Sequence, residues 1–392
     1  MDPAANPYRP GAGTRPPVLS GRDAFVDQFG AMMRLAMGGR PGKSVMPTGL
    51  RGVGKTVLLN QFRDIATHEG MEVAFIEAPE DGSFVQKLAI RLRSVLYGML
   101  RSAPKEAITR ALGVLKAFSY QLPDGTAIKI DVDALTGVAD SGDLVEDLSD
   151  LLQAVGQAAA AKDTGLLLAI DEVQYLNQDE LSAIITAVHR VVQDDLPVVV
   201  VGAGLPQLPG LTGDAKSYSE RLFAFPEIGS LSEVDANAAL AIPAAEHGVT
   251  FTPEALRKIY EVTRGYPYFI QEWGHHLWLH CDGPSITPED VDRVEPMVED
   301  TLDSNFFRVR LDRLTPKERE YLRAMAELGP GPHRSGEIAA KLGVKVESVA
   351  PRRSMLINKG MVYSPAHGDT AFTVPLFDQF LRRVLPWPLS SE

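Results

Sequence analysis

The stretch GLRGVGKT, Gly49–Thr56, fits the pattern G-x-x-x-x-G-K-[ST] at every fixed position. Glycines at 49, 52 and 54 let a backbone turn with its N–H groups facing inward, a cradle for phosphate oxygens. Lys55 brings an ammonium to the terminal phosphates, and the Thr56 hydroxyl is a ligand for Mg²⁺. The contact set is Gly49, Gly52, Val53, Gly54, Lys55, Thr56 and Val57. A chance glycine-rich loop would lack the flanks seen here. Ser44–Thr48 has the composition of a short buried strand, and Val57–Gly70 is an apolar-periodic helix with a glycine stop.

A second acidic signal follows at a distance. Leu166–Ile170 is a wholly apolar strand that ends in Asp171 and Glu172. A carboxylate at that strand end can hold Mg²⁺, and the next can orient and activate a water. A pair of acids could also cap a helix. Following a phosphate loop, the catalytic assignment is preferred: Glu172 and Lys55 as catalytic groups, Thr56 and Asp171 as magnesium ligands.

The elements that must position these groups alternate. A helix is expected over Gly21–Gly39, a second strand over Glu72–Ala78, and further buried strands over Leu196–Gly204 and near Phe225–Ile228. Strands separated by helices imply a mostly parallel, doubly wound α/β sheet. Between the second and third strands, residues 82–161 are an insertion. Helices are expected at Asp81–Arg101, Lys105–Tyr120 and Ser141–Ala161, with a hairpin strand at Thr126–Asp133.

The bulk numbers fit. The chain has 392 residues, 45% hydrophobic and 23% charged, enough for two or three domains. No apolar run is long enough to cross a bilayer, and residues 1–20 form a Pro/Gly-rich arm without a signal-peptide core. Cys281 stands alone, so an internal disulfide is impossible and a reducing cytoplasm is the expected setting. A net charge of −12 argues against a general nucleic-acid coat and leaves room for one basic surface.

From Ser232 the pattern turns helical. Ser232, Thr252-Pro253-Glu254 and Thr287-Pro288-Glu289 are N-terminal helix signals. They open helices at 233–248, 253–264 and 288–302, with another at 266–280. Thr315-Pro316-Lys317-Glu318 is a capping box that opens a last unit. Three helices (316–328, 335–343, 348–359), two strands within 361–374 and a final helix at 375–384 make a winged helix-turn-helix, with Pro351 placed in the first turn of its third helix.

Together these residues resemble AAA+-type ATPases of the bacterial and archaeal group related to origin-recognition ATPases and to the STAND signalling NTPases. The resemblance covers nearly the whole chain. Arg264–Gln271, RGYPYFIQ, and the terminal winged helix narrow it. It implies ATP and Mg²⁺ as cofactors and four regions: the arm (1–20), an AAA+-like core (21–231), a helical lid (232–310) and a winged helix (311–392). It places Val18, Leu19 and Arg22 against adenine, Pro267 at the start of the lid helix, and Arg221 where a neighbouring subunit's γ-phosphate would be met. Two positions depart from the family. Gly202-Ala203-Gly204 replaces a polar contact after the fourth strand, with Gln207 the nearest candidate, and the lid helix lacks its arginine, with only Arg264 close. Slow hydrolysis, a switch rather than a motor, and an ATP-bound homo-oligomer are expected.

Two smaller signals stay open. His276 and His280 are one turn apart, but no third metal ligand is evident, and Trp273 and Trp278 favour packing. Lys345, Arg352, Arg353 and Lys359 would give the winged helix a basic face for duplex DNA, or an ordinary solvated face. An ATP-controlled DNA-binding protein and a STAND-like switch acting on a protein partner both fit.

Overall fold

A computed structural model of the chain describes residues 1–387 apart from 12, 41, 101–104, 123–127 and 367. The chain divides into two compact units. One comprises Arg22–Thr48 and Lys55–Glu227; the other comprises Met1–Gly21, Gly49–Gly54 and Ile228–Glu392.

The first unit is built on a five-stranded sheet. Its strands are β1 (Ser44–Val45), β2 (Glu72–Glu77), β3 (Leu166–Asp171), β4 (Val198–Gly202) and β5 (Phe223–Ala224), in the order β2-β3-β4-β1-β5. Every pairing is parallel. β3 and β4 are apolar runs buried along their whole length, as strands covered on both faces must be. β1 is short because Pro47 brings no N–H to the ladder; pairing resumes only as bridges from Thr48 to Gly204 and Glu227. Parallel strands put the carboxyl ends of β1 and β3 on one edge of the sheet. In such sheets ligands bind beyond that edge.

The insertion forms three helices, Phe84–Met99, Lys105–Ser119 and Leu144–Ala160. The expected strand over 126–133 does not form: residues 128–133 are irregular, and 126–127 lie outside the described residues. Their apolar alternation packs on helices instead. Ile130 is buried, Lys116 Nζ donates to the Val132 carbonyl at 2.6 Å, and Leu135 N donates to Gly113 O at 3.0 Å. Arg101, the expected end of the first helix, is also outside the described residues.

The second unit is mainly helical. Its helices Glu233–Ala245, Pro253–Thr263, Pro267–His280 and Pro288–Thr301 include three opened by the expected caps: Ser232, Thr252 and Thr287 accept from Asp235, Ala255 and Asp290 N–H groups. A parallel pair absent from the sequence reading, β6 (Thr250–Phe251) and β7 (Ser285–Ile286), ties their connections. A π-helical stretch, Leu302–Phe307, runs on into Arg308–Asp312. The C-terminal part has helices Pro316–Leu328, Ser335–Leu342, Val346–Asn358 and Phe377–Val384. It also has an antiparallel sheet of β8 (His333–Arg334), β9 (Val362–Tyr363) and β10 (Asp369–Phe372) in the order β8-β10-β9. The Thr315–Glu318 capping box forms as expected. Pro351 is not in a first turn: its helix begins at Val346, so the proline lies inside it.

Residues 1–20 are not a free arm. Tyr8 is 2% exposed, its hydroxyl donates to Leu240 O at 2.6 Å, and its ring lies against Gly274. Trp278 Nε1 donates to Asp2 O at 2.8 Å. The proline-rich segment is thus pinned along helix Pro267–His280.

Candidate functional site

The phosphate loop has the backbone its glycines predict. Gly52 and Gly54 have φ of 82° and 94°, in the left-handed region that favours glycine. Gly52 is required twice over, because a Cβ there would lie 2.6 Å from the hydroxyl of Tyr266. At Gly49 a Cβ would lie 2.1 Å from the Ile228 carbonyl oxygen. Val53 is buried, and Arg51 N donates to Thr373 O at 3.2 Å. Lys55 then opens helix Lys55–His68, followed by Thr56 and Val57.

Beyond the carboxyl end of the sheet, Thr56 Oγ1 donates to Asp171 Oδ2 at 2.6 Å. Asp171 is 4% exposed and Lys55 5%. Burial pushes the Asp171 carboxyl above its ordinary range and Glu172 pushes the same way. The Thr56 hydroxyl, the Glu172 N–H and the Lys55 ammonium act against them. A buried carboxylate beside a hydroxyl is a hard-oxygen donor pair of the kind that suits a divalent cation. Among the described residues no group of three His, Cys, Asp or Glu side chains could hold a metal.

Glu172 stands at the next position with φ 53° and ψ 43°, left-handed for a residue with a Cβ. Such backbone costs on the order of 1 kcal/mol or more and is held by its surroundings. The Glu172 N–H donates to Asp171 Oδ1 at 2.9 Å and its carbonyl accepts the Tyr175 N–H at 3.0 Å; its carboxylate is held by Gln174, which sequence reasoning missed. Its Nε2 donates to Glu172 Oε2, and its Oε1 accepts the Leu205 N–H at 3.1 Å. Gln174 therefore ties the carboxylate to the turn after β4, where a polar contact was found wanting. Gln207, the candidate for that contact, has a buried Oε1 without a partner among the described residues.

The remaining candidates are placed as follows. Val18 and Leu19 are half-buried, Arg22 is buried, and Pro267 opens its helix as expected. Arg221 is exposed on the short helix Ser219–Leu222. Arg264 is the exposed, left-handed cap of helix Pro253–Thr263. Arg352 pairs with Glu320 at 3.4 Å and Lys359 with Glu318 at 2.8 Å. Arg353 donates to Thr370 Oγ1, Ser364 Oγ and Asp369 O. Of that group only Lys345 is an exposed N-cap. His276 stacks on His280 within the helix, its Nε2 4.0 Å from Glu272, so packing explains the pair.

A parallel sheet in this strand order, a glycine loop closing on Lys-Thr at a helix start, and a buried aspartate bonded to that threonine define a P-loop ATPase of the AAA+ type. Residues 18–201 match the AAA ATPase domain family, so the chain carries that domain. Residues 304–381 match a domain of unknown function, DUF8462. No curated protein matches the sequence. Among solved structures, the chain is similar to the Walker-type ATPase PABY2304 of Pyrococcus abyssi. The TM-score is 0.57 at 16% identity, over 95% of this chain and 98% of that one. Looser likenesses, both at TM-score 0.46, are to two further proteins. One is the Aeropyrum pernix ORC1 protein in complex with DNA, at 17% identity over 94% of each chain. The other is the Thermotoga maritima RuvB Holliday junction branch migration motor, at 16% identity over 96% of this chain and 100% of that one. The first shows the fold across both lengths. No helix among the described residues is long and apolar enough to cross a membrane.

Proposed function

We propose that the chain binds Mg²⁺–ATP, hydrolyses it slowly, and acts as a cytoplasmic nucleotide-controlled switch. The observation that carries this reading is the 2.6 Å bond between Thr56 and Asp171, with Lys55 buried beside them. Thr56 and Asp171 would hold the magnesium ion, whose chemistry is to neutralise charge on the phosphates. Lys55 and the loop N–H groups orient the phosphates. Glu172 orients the water, and Gln174 sets where that carboxylate points. Arg221, exposed on its helix, is available to complete a neighbour's site in an ATP-bound oligomer. The test is phosphate release. It should require Mg²⁺ and remain slow in the wild type, and Glu172→Gln should abolish it; release that is indifferent to both sinks the reading.

The output element is the C-terminal unit of four helices and an antiparallel sheet, read as a winged helix with a final helix. Duplex DNA and a protein are the two partners open to it, and the geometry favours protein. Arg352, Arg353 and Lys359 are engaged by the domain's own acceptors, so a DNA phosphate would have to displace them. Val346 and Met355 of the third helix are exposed instead. Fluorescence anisotropy on duplex DNA, with ADP and with an ATP analogue, separates the two. No binding at low salt is expected; salt-sensitive binding lost in the Arg352→Glu, Arg353→Glu double variant would restore DNA as the partner.

A further inference from the structure

Helix Phe84–Met99 carries an exposed basic face that the nucleotide site does not use. Lys87, Ile90, Arg91, Ser94 and Gly98 are all exposed, at i, i+3, i+4, i+7 and i+11, the spacing of one helix face. Ile90 is 51% exposed between the two cations. Arg91 makes no ion pair among the described residues, nor do Lys105 and Arg110 on the next helix, Lys105–Ser119. The whole stretch is biased the same way. Residues 82–122 hold seven Lys and Arg and one acid, Glu106, in a chain whose net charge is −12. Soluble surfaces ordinarily intersperse the two signs.

The opposite bias stands in the helical unit. Residues 288–303, which include helix Pro288–Thr301, hold seven acids and one base, Arg293. Glu295, Glu299 and Asp303 line a groove of about 260 Å³ together with Glu261. Arg264 and Arg383 line it too, and Arg383 pairs with Asp303 at 2.6 Å and with Glu299 at 3.8 Å. Glu261 and Glu295 make no ion pair among the described residues. The buried side chains of Trp273 and Leu302 supply apolar wall. The volume falls below the roughly 300–1,000 Å³ of small-molecule sites and suits protruding side chains instead.

We propose that these two surfaces bind each other between copies of the chain: Ile90 of one copy enters the groove of another, with Lys87 and Arg91 set against Glu261 and Glu295. The occupant is a second copy because the complement is present in the chain itself. The two stretches are matched, seven bases with one acid against seven acids with one base. Complementary potentials of this kind steer association and fix register. A protein of net charge −12 otherwise repels its own copies, and a local reversal of sign is what lets them approach. Neither surface includes the phosphate loop, Asp171, Glu172 or Arg221. The contact therefore needs no nucleotide and stands apart from assembly driven by ATP.

The experiment is sedimentation velocity of the nucleotide-free full chain over a range of concentrations, at low and at high salt. Between copies that only repel, lowering the salt removes screening and disfavours association; between complementary faces it does the reverse. The wild type should associate, and its dissociation constant should rise about 10-fold or more between about 50 mM and about 300 mM salt. That response needs no variant. Lys87→Glu with Arg91→Glu should abolish association at low salt, and so should Glu261→Lys with Glu295→Lys. All four changes in one chain should restore it, since the signs are exchanged and the pairing is kept. Each variant should melt with the wild type. A wild type that stays monomeric at low salt, or associates more tightly as salt rises, overturns the proposal. Association that survives either pair of reversals, or is not regained when they are combined, overturns it too. Duplex DNA bound by a monomeric wild type and lost with Lys87→Glu and Arg91→Glu would also overturn it and make nucleic acid the occupant of the basic face. Lys55→Ala should associate as the wild type does, so failure here is separable from failure of the nucleotide reading.

Discussion

Asp171 is held where burial disfavours its charged form, a cost that Thr56, the Glu172 N–H and Lys55 offset in part. Its carboxyl is buried, and its pKa is raised chiefly by that burial. A raised folded-state value means the group favours the fold while protonated, below the unfolded pKa. That contribution is lost as pH rises through the folded value. The charged form of Asp171 is therefore disfavoured in the free protein. Asp171→Asn should raise the melting temperature of the nucleotide-free protein by about 2 °C, an order-of-magnitude figure for a domain this size, and should remove the Mg²⁺ dependence of ATP binding. Scanning calorimetry at pH 7 without nucleotide checks the first effect, and a lower melting temperature would count against it. At Glu172, the Gln substitution should leave ATP affinity within about threefold of wild type and reduce turnover by about 100-fold or more. Gln174→Ala should lower turnover less, about 10-fold, because it frees the carboxylate without removing it. Of these three groups only the acids were legible in the sequence. They end an apolar strand at a fixed distance of meaning from a phosphate loop. Gln174 was not legible, because its role depends on the turn after β4, thirty-one positions away in the chain.

At the scale of elements, what the sequence told well was what local patterning controls. Caps at Ser232, Thr252, Thr287 and Thr315 placed helix starts, because a capping oxygen and the first turn are neighbours in sequence. The apolar runs of β3 and β4 announced buried parallel strands. The errors came from tertiary context. Residues 128–133 alternate like a strand yet find no strand to pair with, and side-chain packing claims them instead. β6 and β7, two residues each, are too short to leave a pattern. The proline-rich start gave no sign of an anchor, since Tyr8 makes contacts more than two hundred residues away. That anchor is testable. Tyr8→Ala deletes a buried ring and should destabilise the helical unit by about 3–4 kcal/mol, the range for large aromatic truncations. Urea unfolding followed by tryptophan fluorescence checks it, since Trp278 bonds to the same segment. A change under about 1 kcal/mol would mean the segment is only loosely attached.

At the scale of the whole molecule, the loop tip of this P-loop ATPase, Gly49–Gly54, belongs to the same compact unit as the C-terminal elements. The Arg51 N–H bonds to Thr373 within that unit, so the phosphate loop and the C-terminal elements share a backbone contact. Assembly is the expected response to ATP. Specific activity should rise with protein concentration, and Arg221→Ala should suppress that rise while leaving ATP affinity within about threefold, if the arginine acts across subunits. Activity flat across a wide concentration range and unmoved by Arg221→Ala would refute a shared site. All of this depends on the loop holding Mg²⁺–ATP. The most direct test is isothermal titration of Mg²⁺–ATP into the wild-type protein and into Lys55→Ala. The account predicts saturable binding by the wild type and a loss of about 100-fold or more in the variant, whose melting temperature without nucleotide should not fall. Equal affinity in the two proteins would contradict it.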